Sequence, residues 1–227
     1  MLTFACFSPH PPIILPEVGS PEDRTKVKKT ISALESLAPK LAAAKPEIII
    51  VSSPHPDWGI NVPLHFLLPK SFLSQGVVSS TPLRWNTIDT LGKGSIFPFL
   101  TTFESPKIHF ERGKELIKSL PEALRGAWIA SGDMSHRLRE DGPYGLHPSG
   151  PKFDKKFIEL LKKKDIKGIL NLNPQLVEEA GECGLRSFCM LLGALEESKL
   201  NWQPEILSYE SPFGVGYLVA NLKIETD

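Results

Sequence analysis

Three cysteines, Cys6, Cys183 and Cys189, are all that 227 residues contain. Their number is odd and no two of them stand in Cys-x-x-Cys spacing. That excludes a disulfide framework and a paired-cysteine zinc site, and a reducing cytoplasm is the expected setting. An excess of charge is missing too. The 26 basic side chains face 26 acidic ones, so neither nucleic acid nor an anionic membrane finds a basic surface to read. No apolar run is long enough for a transmembrane helix. The N-terminus enters a strand-like run with no basic leader and no cleavage signal. A Walker-A sequence and a Gly-x-Ser-x-Gly elbow are both lacking. The glycines of Ser211-Pro212-Phe213-Gly214-Val215-Gly216 are too few and wrongly spaced for a dinucleotide loop. The 21 prolines are scattered, so they mark turns and no disordered tract.

What is present is a repeated tetrapeptide. Ser-Pro-His-Pro occurs at Ser8 to Pro11 and again at Ser53 to Pro56. Each copy follows a short apolar run, Leu2 to Phe7 and Glu47 to Val51, that reads as a buried strand. His10 and His55 therefore stand at the carboxyl ends of two strands, where ligand sites of open α/β sheets gather. The flanking prolines stiffen the backbone on both sides of each imidazole. Between the two runs, Ser20-Pro21-Glu22-Asp23 is a helix start, followed by Val27, Ile31, Leu34, Ala38 and Leu41 at helical spacing. This helix is expected to bend or end near Pro39. Strand, helix and strand from residue 2 to 51 make a βαβ unit.

Further on, Asn61 to Leu68 reads as a strand with alternating faces. Gly76 to Thr87 reads as a strand pair, residues 88 to 111 as an irregular segment, and Lys114 to Leu120 as a short helix. Ala127 to Ser131 is a third buried strand, running into Gly132-Asp133-Met134-Ser135-His136. Residues 137 to 150 form a loop. Helices follow over Lys152 to Lys163, Ile166 to Leu170 and Pro174 to Leu195, the last broken around Gly181. Ile206 to Tyr209 and Gly216 to Ile224 close the chain as strands. These elements predict one α/β domain over residues 1–227, with a central mostly parallel or mixed sheet and helices on both faces.

Of six histidines, His10, His55 and His136 each follow a different buried strand, a placement that lets them converge above one sheet edge. Two neutral imidazoles with a carboxylate suit non-haem Fe(II), and the same set can hold Zn²⁺. A third histidine, unligated, can move protons near neutral pH. A histidine after a strand also serves as a turn or core residue, and the repeated context of His10 and His55 weighs against that. His65 reads as structural and His109 receives no role. His147 is a lid candidate. For the remaining ligand, Glu182 opens the helix from Leu185, and Cys183 beside it is the alternative, since a helix N-terminus favours a thiolate. As a helix-start acid, Glu182 also has an ordinary explanation. Asp133, Ser135, His147 and Glu210 are pocket candidates. Arg137, Arg139 and Arg186 can hold a substrate carboxylate, surface ion pairs being the commoner use for two of them.

Ser-Pro-His-Pro-Pro, the second Ser-Pro-His-Pro, Gly-Asp-Met-Ser-His-Arg-Leu and Glu-Cys-Gly-Leu-Arg-Ser before Leu-Leu-Gly-Ala-Leu together resemble the class III extradiol ring-cleavage dioxygenases. The likeness covers nearly the whole chain and is nearest the small LigB-like proteins, including protein A of the AmmeMemoRadiSam system. The resemblance implies Fe(II) held by His10, His55 and Glu182, with His136 as acid/base, acting on a small aromatic diol and O₂. It also implies a homodimer or a partner subunit. In the related Memo proteins a cysteine stands at the third ligand position, where Cys183 matches; Zn or Cu would then suit the site better than Fe(II). Protein A often carries a second domain, and this chain stops after its last strand. A Memo-like metal-binding or redox protein without ring cleavage, a zinc hydrolase, and a non-catalytic binding module are the alternatives.

Overall fold

The computed structural model describes residues 1–68 and 95–225. Among the described residues, six strands form one sheet: β1 (Leu2–Ser8), β2 (Ile48–Ser53), β3 (Ser95–Leu100), β4 (Gly126–Ser131), β5 (Trp202–Glu210) and β6 (Tyr217–Ile224). Their order is β3-β2-β4-β1-β6-β5. The first four run parallel, β6 lies antiparallel to β1, and β5 antiparallel to β6. The expected mixed sheet is thus present. β1 and β2 are parallel, with β4 lying between them, so the ends of β2, β4 and β1 stand side by side.

The helices are α1 (Pro21–Lys26), α2 (Lys28–Ala44), α3 (Trp58–Leu67), α4 (Pro106–Ser119), α5 (Ser149–Lys162), α6 (Ile166–Leu170), α7 (Pro174–Ala180) and α8 (Leu185–Glu197). Alternation of side chains along the strands divides the core in two. Phe4, Cys6, Ile49, Val51, Ala127 and Ile129 pack with α2 and α3. Ala5, Phe7, Ile48, Ile50, Trp128 and Ala130 pack with α4, α5 and α8 on the opposite face. Leu2 joins the second group, because the pairing of β1 with β4 slips between Leu2 and Phe4 and reverses the alternation. Helix α8 is apolar nearly all round and is buried from Leu185 to Leu195 apart from Arg186. It reaches α4 closely because Gly113 and Gly193 have no side chains: a Cβ there would fall 1.8 Å from the Met190 carbonyl oxygen and 2.0 Å from that of Phe110.

Four sequence expectations need correction. Asn61 to Leu68 is helical, within α3; buried Ile60, Leu64 and Leu67 follow a helical period that outweighs the apparent alternation. Pro39 does not end α2, which continues to Ala44. Buried Leu34, Leu37 and Leu41 lie on both sides of that proline and hold the helix against the sheet, offsetting a penalty of about 3 kcal/mol. The segment read as irregular contains β3 and the start of α4. Pro98 is tolerated in β3, which among the described residues is paired on one side only, with β2. Helix α4 begins eight residues earlier than expected, capped by Ser105 with Pro106 in its first turn. The strand pair expected over residues 76–87 lies outside the described residues. Gly181 breaks the late helical stretch as expected, adopting a left-handed φ of 62° between α7 and α8. No helix among the described residues is long and apolar enough to cross a membrane.

Candidate metal centre

Four chain segments meet beyond the carboxyl ends of β1, β2 and β4: the stretches that follow these three strands and the turn before α8. His10 is 4 % exposed and is held at two points. Its backbone N–H donates to Asp133 Oδ1 at 3.0 Å, and its Nδ1 lies 2.9 Å from Ser131 Oγ. With Nδ1–H donating to that hydroxyl, Nε2 keeps its lone pair. This is the arrangement by which an outer partner orients a ligand imidazole. Burial, and after it the neighbouring His55, push the His10 imidazole down to about 3, so the ring is neutral at ordinary pH. His55 follows β2 and is exposed. Its backbone N–H donates to Ser53 Oγ at 3.2 Å, and its ring centroid lies 5.1 Å from that of His10.

The stretch after β4 and the turn before α8 complete the site. Gly132 and Gly184 let the turn dock on the end of β4: a Cβ on Gly132 would fall 2.1 Å from the Cα of Gly184. The Gly184 N–H donates to the Asp133 carbonyl at 2.9 Å, and the Asp133 N–H donates to Cys183 Sγ at 3.2 Å. Cys183 Sγ thereby comes to 3.6 Å from His10 Nε2. One ligand atom each from His10, His55 and Cys183 lies within 4.8 Å of the others. Asp133, His136 and Cys183 satisfy the same limit, so Cys183 is common to both groups. Burial raises the Cys183 thiol well above its ordinary value, and the Asp133 carboxylate raises it further. Burial also lifts Asp133 to about 6 and pushes His136 down, against the pull of Asp133. His136 Nε2 is buried without a hydrogen-bond partner among the described residues.

These atoms fit a cation. Two ligands on one tetrahedral ion, at the usual Zn–N and Zn–S lengths, sit about 3.6 Å apart. That matches the separation of His10 Nε2 and Cys183 Sγ. The orphaned His136 nitrogen adds a buried donor site beside them.

The other sequence candidates are engaged elsewhere. Glu182 is engaged at the start of α8: its Oε2 accepts from the Leu185 N–H at 2.5 Å, and its Oε1 lies 3.7 Å from Arg186. Its side chain is 2 % exposed, and burial lifts it to about 7. Ser135 donates to the Ala180 carbonyl and accepts from the Arg137 N–H. Glu210 accepts from the N–H and hydroxyl of Thr30, both at 2.8 Å, near the start of α2. His147 accepts from the Ser149 N–H and lies 4.0 Å from Glu179. Arg139 pairs with Asp141. His109 is buried in α4, its Nε2 accepting from the Thr102 N–H, and His65 packs beside Phe66. Two site residues carried no functional signal in the sequence. Ser131 was legible only as the last residue of a strand. Tyr144, whose ring centroid lies 5.1 Å from that of His136, was one aromatic in a glycine-rich loop.

Comparison with known proteins agrees with this architecture. Residues 53–220 match the family model described as the catalytic LigB subunit of aromatic ring-opening dioxygenase. Protein CA_C1420 of Clostridium acetobutylicum is 34 % identical over 95 % of this chain, and the chain spans 56 % of that protein's length. The crystal structure of the uncharacterized protein JW3007 from Escherichia coli K12 is similar in fold, with a TM-score of 0.53 and 16 % identity. That likeness covers 96 % of this chain and 99 % of the other. With three strand ends and the turn before α8 bringing His10, His55, Asp133, His136 and Cys183 together and most of the chain matching one family model, the chain belongs to the LigB family.

Proposed function

We propose that this protein binds one transition-metal ion through His10, His55 and Cys183, in the manner of the Memo-like branch, with Asp133 and His136 beside it as a proton-handling pair. The observation that carries this reading is the 3.6 Å separation of His10 Nε2 and Cys183 Sγ in a partly buried contact. Two imidazoles and a thiolate favour zinc or copper over Fe(II). When bound, the ion would polarise a ligand that enters from the open His55 side. Accepting from Nδ1–H, Ser131 would hold the His10 ring in the ligating tautomer. On ligation Cys183 would give up its thiol proton; Asp133 and His136, each with a ligand atom within 4.8 Å of its Sγ, are the titratable groups beside it.

Elemental analysis of anaerobically purified protein tests the reading. The expected result is about one ion per chain, lost in Cys183→Ser and kept in Glu182→Gln. The reverse pattern would overturn it and install the carboxylate set.

A second reading is extradiol cleavage of a small aromatic diol by O₂ on Fe(II), with Glu182 as ligand and His136 as acid/base. The description of the matching family model favours it. Oxygen uptake by Fe(II)-loaded protein in the presence of catechol, slowed in His136→Ala, would support this reading over the first.

A further inference from the structure

The strap between β4 and α5 carries an aromatic side chain in an unusual position. Tyr144 is 61 % exposed, yet its ring lies 5.1 Å from the His136 ring at an interplanar angle of 33°. Its hydroxyl makes no hydrogen bond to the described residues. An aromatic left this open would ordinarily sit on a mobile loop tip, but this strap is braced. The Leu138 N–H donates to the Gly214 carbonyl at 3.1 Å, and the His147 N–H to the Arg137 carbonyl at 3.1 Å. Leu138 and Leu146 pair as an antiparallel bridge. Arg139 ties the outer part down through Asp141 and the Pro212 carbonyl. Gly145, at a φ of 71°, makes the reversal that follows the tyrosine. The fold thus holds one aromatic ring beside His136, with most of its surface unfilled.

We propose that Tyr144 is the specificity-determining residue of the site: its ring stacks on a flat, ring-bearing ligand and favours it over a ringless one of equal metal affinity. This rests on the reading that an ion is held at His10, His55 and Cys183. An offset stack against an aromatic ring rewards a planar ligand and leaves a small linear anion indifferent. The role is one of positioning, since the hydroxyl is not required.

Protein loaded with Zn²⁺, which undergoes no redox change, is titrated with 4-nitrocatechol, followed by its visible absorption, and with azide by competition. Tyr144→Ala and Tyr144→Leu should weaken 4-nitrocatechol about 5- to 10-fold and leave azide unchanged, while Tyr144→Phe stays within about 2-fold of the parent. Equal weakening of both ligands, or of neither, would overturn the proposal and leave the ion in place. Parent protein that binds azide but no 4-nitrocatechol would overturn it as well. Parent protein that takes up no Zn²⁺ would sink the metal centre itself, and Tyr144's role with it. The phenylalanine variant guards against misfolding, because it keeps the packing against His136.

Discussion

The turn after β1 and the turn after β2 carry the same four residues in different surroundings. His10 is almost wholly buried, while His55 is exposed. Even the shared serines act differently. Ser8 donates to its neighbour's carbonyl, whereas Ser53 accepts from the His55 N–H. The contrast comes from the neighbours. The end of β4 leans toward β1, so Ser131 and Asp133 both bond to His10. His55 is tied by a contact from within its own motif. Prolines thus set the course of both backbones, and tertiary contacts decide which imidazole is buried and fixed.

The largest expected effect follows from that difference. His10→Ala should abolish ion binding and also destabilise the metal-free protein by about 2–4 kcal/mol, by opening a cavity and leaving the Ser131 hydroxyl without a partner. Chemical denaturation of the metal-free variant, with metal content measured in parallel, checks both. A metal-free stability equal to the parent's would mean that the contacts around His10 contribute nothing to the fold.

A third loop sharpens the comparison, because the stretch from Asp133 to His136 has no proline. It is held by hydrogen bonds. Asp154, 2 % exposed, accepts from the Ser135 N–H at 2.8 Å and from the Tyr209 hydroxyl at 2.5 Å. Burial, partly offset by those bonds, lifts Asp154 to about 6. Its folded value thus exceeds its unfolded one, so the native state holds the proton more tightly. That contribution to stability is present below about pH 4 and is lost as the pH rises through about 6. Asp154→Asn removes it. In metal-free protein, the stability of the variant relative to the parent should rise by about 2–3 kcal/mol between pH 4 and 7 and then level off. Buried His10 and His136 impose opposite trends on both proteins, so the difference curve is the quantity to measure. A flat difference curve would show that Asp154 is not strained by ionisation.

These contrasts also explain what the sequence could disclose. Strand ends were legible because β1, β2 and β4 are continuous apolar runs closed by proline or glycine. The candidate ligand histidines were legible because their motif is repeated. Helix α3 was misread because Asn61, Pro63 and His65 alternate with apolar residues by chance, whereas its burial follows Ile60, Leu64 and Leu67. The rest of the site depends on long-range approach. Whether Glu182 or Cys183 faces His10 turns on the docking of Gly184 against Gly132, across about fifty residues of chain. No local pattern encodes that choice, nor the placing of Tyr144 over His136.

The smallest effect is the most direct test of the paired turns. His55 is exposed, and its one described hydrogen bond uses the backbone N–H, which alanine retains. His55→Ala should therefore change the stability of the metal-free protein by no more than about 0.5 kcal/mol, the usual range for an exposed position. It should still lose the ion, because two remaining protein ligands leave a weak, open site. Thermal melts with and without added Zn²⁺ separate the two effects. The parent should melt higher with the ion and the variant should not, while their metal-free curves coincide. Should the metal-free curve of the variant fall as far as that of His10→Ala, the two turns would be equivalent after all, and the neighbours' control over identical motifs would have to be given up.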